Sequence, residues 1–203
     1  MKWTKWKFCA GIDEAGRGPL AGPVAVGAVL ISTKNKKCLK CVFEKIKGKD
    51  SKKLTVSERE KWFQVIHAEQ TKGNLQYTVS LVGAKIIDKK GIMYAIQTAL
   101  RRSLLKINAK PTQTQVLLDG GLRAPQQYIY QKTIIKGDES KLVISLASIV
   151  AKVIRDKKMC QYAIQYPKYD FNLHKGYGTA RHRKKLQQHG ISLLHRASFC
   201  RFL

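Results

Sequence analysis

The chain has 203 residues, of which 44% are hydrophobic and 26% are charged, an ordinary composition for a folded protein. Its 39 Lys and Arg residues against 13 Asp and Glu give a net charge of +26. A particle this basic repels itself unless a polyanion neutralises it, so nucleic acid is the expected partner. No long basic amphipathic helix favours a membrane surface, and no apolar stretch approaches membrane-spanning length.

Five cysteines are an odd number without a secretory context, which predicts reduced thiols and a cytoplasmic protein. Cys38 and Cys41 have the spacing of a metal-binding pair, but no second Cys or His pair follows at zinc-finger distance. A pair of this kind is more often structural or incidental.

The first predicted elements are two strands joined by a glycine-rich turn. A short apolar run reaches Asp13 and Glu14, a turn at residues 16–19 follows, and a second apolar run covers residues 24–31. Consecutive strand residues face opposite sides, so the two acids can share one site only where the strand ends or bends. The glycines supply that freedom and let the backbone approach a ligand. A solvated hairpin turn is the alternative interpretation.

The remaining elements follow from periodicity and turn residues. A Lys-rich connector covers residues 33–53, and a helix is predicted to start near Thr55 or Ser57, with Ser57 and Glu60 as its capping box. Alternation over residues 75–81 predicts a half-buried strand. The further predicted elements are a helix over residues 92–104, a short buried strand at 116–119, a strand-like run at 134–135, a long helix from Ser145 to about Gln165, and a basic helix at 180–189 that stops at Gly190. This order predicts a mixed α/β sheet flanked by helices.

Acidic residues are rare in this chain, so their positions are informative. Like Asp13 and Glu14, Asp119 and Asp138 each sit at or just past an apolar strand-like run, and strand ends are where α/β sheets bind ligands. Converging carboxylates repel one another unless cations neutralise them. Oxygen ligands favour Mg²⁺ or Mn²⁺, and two such ions catalyse in-line phosphodiester displacement. The pattern therefore predicts a two-metal site.

Asp156 is a fifth candidate on different grounds. It lies on the apolar stripe of the long predicted helix, three residues after Val153, where an unpaired carboxylate would be costly. It could support the metal site, or it could pair with Lys152 or Arg155, and both interpretations stay open.

Seven blocks of the sequence are distinctive in their combination of acids, glycines and basic residues. They are Asp13-Glu-Ala-Gly-Arg-Gly-Pro19, Asp50-Ser-Lys-Lys-Leu54, Leu118-Asp-Gly120, Lys136-Gly-Asp138, Ala147-Ser-Ile-Val-Ala-Lys-Val-Ile-Arg-Asp156, and Lys175-Gly-Tyr-Gly-Thr179 with His195-Arg-Ala-Ser-Phe199. In this order they span nearly the whole chain and resemble the ribonuclease HII family. The resemblance implies a ribonuclease H-like catalytic domain over residues 1–165 and a small C-terminal helical, substrate-binding extension over residues 166–203.

The function implied by the resemblance is cytoplasmic endonucleolysis of RNA in RNA–DNA hybrids. It includes cleavage 5′ of single ribonucleotides embedded in duplex DNA, which leaves a 5′-phosphate and a 3′-hydroxyl. The catalytic carboxylates, which would hold two Mn²⁺ or Mg²⁺ ions, are by resemblance Asp13, Glu14, Asp119 and Asp138, with Asp156 as a possible further ligand.

The resemblance also assigns substrate contacts. Gly16, Arg17 and Gly18 match the family's loop that senses the RNA-to-DNA junction, where backbone amides can reach a 2′-hydroxyl and an Arg can hold the adjacent phosphate. Tyr177 matches a tyrosine that packs on the following deoxynucleotide, and Lys175 belongs to the same block. A packed aromatic in a glycine-rich turn is the alternative for Tyr177.

Two positions depart from the family pattern. His174 and Gly91 stand where asparagine is usual, and both are expected to loosen the neighbouring loops. A monomer is expected, and no sliding-clamp peptide is recognisable after Phe199, so that partner is not predicted.

Two other functions are weighed against this one. They are a related hydrolase that needs a longer stretch of RNA, and a basic hybrid-binding protein without catalysis. The loop at residues 16–18 argues against the first, and the full set of carboxylates argues against the second.

Overall fold

The computed structural model describes residues 6–44 and 54–201. The strands in these ranges are β1 (Phe8–Ala15), β2 (Val24–Ser32), β3 (Leu75–Val82), β4 (Thr114–Asp119) and β5 (Gln131–Ile134). The helices are α1 (Lys36–Val42), α2 (Val56–Thr71), α3 (Ala84–Lys90), α4 (Ile92–Lys106), α5 (Gly137–Ser140), α6 (Leu142–Gln165), α7 (Phe171–His174) and α8 (Ala180–His189). Short 3₁₀ turns cover Pro167–Tyr169 and Ala197–Phe199.

The five strands form one mixed sheet in the order β3-β2-β1-β4-β5. β2 is antiparallel to β1 and β3, whereas β4 is parallel to β1 and β5. In the β1–β4 pair Ile12 stands opposite Leu118, so Asp13 and Asp119 follow at the carboxyl ends of neighbouring parallel strands. The predicted mixed α/β sheet flanked by helices is confirmed.

The sheet has helices on both faces. Apolar side chains of α4 cover one face, while α6 and α2 cover the other. Two strand glycines bring α6 unusually close to the sheet, because a Cβ at Gly11 or Gly27 would overlap the backbone carbonyl of Val143 or Ala147. Side chains on the next turns of α6 therefore reach the end of β1, where the acids lie.

A third hydrophobic cluster joins the C-terminal segment, residues 166–201, to the rest of the protein. Its buried members are Leu20, Ala21, Met159, Tyr169, Phe171, Leu186 and Cys200. The segment thus packs on the β1–β2 loop and on the end of α6. No helix in the described ranges is long and apolar enough to cross a membrane.

Several local predictions need correction. The capping box of α2 is formed by Thr55 and Glu58, because the Thr55 hydroxyl accepts from the Glu58 amide and the Glu58 carboxylate accepts from the Thr55 amide. The predicted pair of Ser57 and Glu60 was wrong, since both residues already lie inside the helix. α6 begins at Leu142, three residues earlier than predicted. Residues 50–53 of the second sequence block lie outside the described residues.

Candidate active site

An open cleft of about 440 Å³ lies where β1, β4 and α6 meet. Its lining residues are Asp13, Glu14, Ala15, Gly16, Arg17, Gly18, Arg59, Asp119, Ser148, Lys152 and Tyr177. The structure thus brings three of the four predicted carboxylates, the predicted glycine loop and the predicted tyrosine to one place.

Asp13 is the most buried acid of the cleft, with 2% of its surface exposed. Its Oδ1 accepts from the Glu14 amide at 2.7 Å, whereas its buried Oδ2 accepts no hydrogen bond from the described residues. Burial raises the pKa of Asp13 well above its usual value. Hydrogen bonds with the Ser148 side chain and the Glu14 amide lower this pKa in part, whereas the nearby charges of Glu14 and Asp119 raise it. This environment favours a neutral carboxyl or a carboxylate neutralised by a cation.

Asp119 ends β4 and is held by the turn that leads to α5. Its Oδ1 accepts from the Gly137 amide at 2.7 Å, so one carboxylate oxygen is fixed by a backbone group. Asp138 follows directly, is 4% exposed, and accepts from the Glu139 amide at 3.1 Å. Asp138 adjoins this turn but does not line the cleft.

Asp156 also stays out of the cleft. Its Oδ1 lies 2.9 Å from the Lys152 Nζ and 3.9 Å from the Arg155 Nη1. Of the two interpretations that the sequence left open, the structure places Asp156 in an ion pair, and through Lys152 that pair reaches the cleft wall.

Besides Ala15, three further cleft residues were not proposed as site residues from the sequence. Ser148 and Lys152 project from α6, and Arg59 projects from α2. The available signal was the four-residue spacing of Ser148, Lys152 and Asp156, which puts all three on one helix face. The sequence around Arg59 in α2 does not indicate that its side chain reaches the cleft.

The β1–β2 loop contributes Arg17 to the cleft. The Arg17 guanidinium lies 3.6 Å from the Glu14 carboxylate and donates to the Met93 sulfur at 3.2 Å. About half of the Arg17 side chain is exposed, so both contacts are weak enough for an incoming phosphate to replace.

Tyr177 also lines the cleft, with 41% of its surface exposed. The Lys152 Nζ lies 5.3 Å from the centre of its ring and the Arg155 guanidinium carbon 5.7 Å, both within cation–π range. The ring is therefore presented beside cations rather than packed in the core. Lys175 differs, because its Nζ donates to the Asn172 carbonyl and its side chain does not line the cleft.

Three buried histidines hold the Tyr177 loop. The imidazoles of His182 and His195 meet at 3.0 Å through their Nε2 atoms, and His174 stacks on His182 with ring centroids 4.1 Å apart. The His182 Nδ1 donates to the Tyr177 carbonyl at 2.9 Å, and the Gly176 amide donates to the His174 Nδ1. His174, which stands where the family usually has asparagine, thus contributes a stacked ring and two hydrogen bonds to this loop. One hydrogen bond is from the Gly176 amide, and the other is to the Tyr169 carbonyl.

The histidine cluster makes stability depend on pH. Burial, together with the neighbouring imidazoles, lowers the pKa of His182 and of His195 from 6.5 to about 4, and the pKa of His174 is also lowered. The unfolded chain therefore binds more protons than the folded chain between pH 6.5 and 4. As the pH is lowered through this window, we expect the free energy of unfolding to decrease by about 1.4 kcal/mol per pH unit for one such imidazole.

Urea unfolding from pH 7.5 to 4.5 tests this. His174→Asn removes one imidazole with a lowered pKa, so the free energy of unfolding should decrease less steeply with falling pH than in the parent. His67→Asn, at an exposed position, should leave this pH dependence unchanged. Identical slopes in the parent and in His174→Asn would contradict the assignment.

The donor set of the cleft suits a divalent cation. Asp13, Glu14 and Asp119 offer only oxygen ligands, and the unbonded Oδ2 of Asp13 is a ligand without a protein partner. In the described ranges no three acid, His or Cys side chains lie close enough to form a complete ion site as they stand. Mutual repulsion keeps carboxylates apart until a cation neutralises them.

A mixed sheet of this strand order, with carboxylates at the carboxyl ends of β1 and β4, defines a ribonuclease H-like nuclease. A family model described as Ribonuclease HII matches residues 10–202. The ribonuclease HII of Endomicrobium trichonymphae is 44% identical over 190 residues, which cover 94% of this chain and 84% of that protein. The chain belongs to the ribonuclease HII family and is a metal-dependent endoribonuclease.

Solved structures agree with this assignment. The ribonuclease H2 from Pyrococcus horikoshii OT3 has a TM-score of 0.70 at 27% identity, over 96% of each chain. Bst-RNase HIII in complex with Mn²⁺ has the same fold, with a TM-score of 0.70 at 16% identity, over 97% of this chain and 68% of that one.

Proposed function

We propose that this enzyme hydrolyses RNA in RNA–DNA hybrids and also cuts 5′ of single ribonucleotides embedded in duplex DNA, leaving a 5′-phosphate and a 3′-hydroxyl. The observation that carries the proposal is the side-by-side placement of Asp13 and Asp119, with the Gly16–Gly18 loop lining the same cleft. Carboxylates at two strand ends supply the chemistry, and a loop beside them can test the sugar next to the scissile phosphate.

Asp13, Glu14 and Asp119 are the proposed metal ligands, with Asp138 as the fourth carboxylate. When bound, two Mg²⁺ or Mn²⁺ ions supply Lewis-acid chemistry that activates water and stabilises the leaving 3′ oxygen. The Gly137 amide fixes one oxygen of Asp119 and orients the carboxylate. Asp138 lies one residue beyond that amide, on the turn that holds Asp119. This role for Mn²⁺ is in keeping with its presence in Bst-RNase HIII.

The proposed substrate contacts follow from the residues that line the cleft. Amides of the Gly16–Gly18 loop can donate to a 2′-hydroxyl, the group that distinguishes ribose from deoxyribose. Arg17 can exchange its contact with Glu14 for a phosphate, and Lys152 adds a second cation beside the acids. The ring of Tyr177 can pack on the next deoxynucleotide, where the absent 2′-hydroxyl leaves room. We assign substrate binding also to the extension at residues 166–203, including Lys175.

The decisive assay uses a labelled DNA duplex that carries one ribonucleotide, incubated with Mg²⁺, with Mn²⁺ and with a chelator. We expect metal-dependent cleavage on the 5′ side of the ribonucleotide. Cleavage of longer RNA tracts alone would indicate the related hydrolase instead, and binding without cleavage of either substrate would indicate a non-catalytic hybrid-binding protein.

Tyr177→Ala is expected to reduce cleavage at a single ribonucleotide about 10-fold or more, because base or sugar stacking on an aromatic ring contributes about 1–3 kcal/mol. Cleavage within a long hybrid should fall less, since many registers are available there. Tyr94→Ala, which removes another exposed tyrosine outside the cleft, is the matched control. Equal losses on both substrates would reduce Tyr177 to a packing role.

The proposal includes a monomeric enzyme in the cytoplasm. All five cysteines are free thiols, which suits a reducing compartment. Light scattering at the concentration of the cleavage assay checks the oligomeric state.

A further inference from the structure

Arg155 and Arg196 are buried completely, each with 0% of its surface exposed. Removing a guanidinium from water is costly unless other groups satisfy it. The nearest carboxylate contact of Arg155 is the long one to Asp156, and no salt bridge within 4 Å is found for Arg196 among the described residues. Backbone carbonyls accept instead from all three side-chain nitrogens of Arg196 and from the Nε and Nη2 of Arg155, whose buried Nη1 has no hydrogen-bond partner among the described residues. Most of those carbonyls belong to the β1–β2 loop.

Arg196 directs all three of its donor positions at that loop. Its Nη2 donates to the Gly16 carbonyl at 2.7 Å, its Nη1 to the Arg17 carbonyl at 2.9 Å, and its Nε to the Gly22 carbonyl at 3.0 Å. Its own amide donates to the Leu20 carbonyl at 2.7 Å. A residue near the end of the chain therefore fixes the loop 180 positions earlier.

Arg155 holds the other side of the same loop. It donates to the Pro23 carbonyl at 2.9 Å, to the Ala21 carbonyl at 3.3 Å, and to the Lys175 carbonyl at 3.1 Å. It also fills the space beneath Gly16, where a Cβ would overlap the Arg155 side chain. Arg155 thus joins the loop to the Tyr177 turn. Among the described residues, it is Arg196 that donates to the carbonyls of Gly16 and Arg17.

Because Arg196 fixes these two carbonyls, it also sets the direction of the amides that belong to the same peptides. In a planar trans peptide the C=O and N–H groups point in opposite directions. The Gly16 carbonyl shares its peptide with the Arg17 amide, and the Arg17 carbonyl shares its peptide with the Gly18 amide. Because both carbonyls face Arg196, both amides face away from it, and neither donates a hydrogen bond to the described residues.

We propose that Arg196 is a positioning residue for ribonucleotide recognition, which sets the orientation of the Arg17 and Gly18 amides without touching the substrate. The inference rests on the proposed role of the Gly16–Gly18 loop. It makes the C-terminal segment a determinant of specificity through the shape of this loop, in addition to any contact of its own with nucleic acid.

Asp88 supports Arg196 from α3. Its Oδ2 accepts from the Ala197 amide at 2.9 Å and its Oδ1 from the Ser198 amide at 3.0 Å, so it holds the backbone directly after Arg196. Asp88 does not line the cleft. A substitution of Asp88 should therefore loosen Arg196 mildly, while the charge of Arg196 is kept.

Arg196→Lys keeps the charge but cannot hold three carbonyls with a planar fork. We expect kcat/KM for a single embedded ribonucleotide to fall about 100-fold, the effect of misplacing a recognition group by roughly 1 Å. The loss should be mostly in kcat, and cleavage of a long RNA–DNA hybrid should fall much less. Arg101→Lys, at an exposed position of α4, should leave both activities unchanged.

Asp88→Asn should lower the ratio of the two activities in the same direction by a few-fold, and it decides the question if Arg196→Lys does not fold. Equal losses on both substrates in the folded variants would overturn the proposal. If the parent enzyme cuts long hybrids but not single ribonucleotides, the proposed function fails instead, whatever the variants do.

Discussion

Asp119→Asn is expected to lower turnover by about 1000-fold or more while duplex binding is retained. Asn keeps an oxygen that can accept from the Gly137 amide, so the turn that leads from β5 to α5 should stay in place. It removes the negative charge that a divalent ion requires, and metal-ion catalysis is worth several kcal/mol, each 1.36 kcal/mol being tenfold in rate.

The measurement is single-turnover cleavage of the single-ribonucleotide duplex at saturating Mg²⁺ or Mn²⁺, with binding followed separately by fluorescence anisotropy. Glu60→Gln is the matched control, because it neutralises an acid that pairs with Lys157 outside the cleft. Full activity in Asp119→Asn would remove Asp119 from the catalytic set. Loss of binding together with loss of activity would indicate that the fold, rather than the metal site, was damaged.

Gly18→Ala is expected to reduce single-ribonucleotide cleavage about 100-fold without destabilising the protein. A Cβ at Gly18 meets nothing within 4 Å in the free enzyme, so the folded state has room for it. If the substrate backbone approaches the loop as closely as recognition of a 2′-hydroxyl requires, the methyl group displaces it, and a displacement near 1 Å is enough for this loss. The loss therefore reports ligand approach rather than folding.

Two comparisons separate these causes. Gly83→Ala also has open space around its Cβ but lies before α3, and it should keep full activity. Gly16→Ala should instead lower the thermal midpoint, because Gly16 has a φ of +85° and its Cβ would overlap Arg155. Unchanged cleavage by Gly18→Ala would mean that the substrate does not approach the loop at this position.

Much of the candidate site could be predicted because it depends on short-range patterns. Apolar runs that end on Asp13 and Asp119 predict strand ends, and parallel strands place such ends together. Likewise, the seven blocks predict the family, since each is a local combination of residues. The capping box of α2 was misplaced because Thr55 and Ser57 offer similar hydroxyls two residues apart, and only the backbone geometry distinguishes them.

The sequence by itself determined the mixed sheet, the family, and the acids and glycine loop at the end of β1. Only the tertiary structure decided that Asp156 pairs with Lys152, that the Lys175 side chain turns away from the cleft, and that Arg196 shapes the Gly16–Gly18 loop. These outcomes depend on contacts between distant parts of the chain, and on which long side chain a buried carbonyl or carboxylate meets. No local pattern encodes such contacts, because packing of α6 and the C-terminal segment against the β1–β2 loop creates them.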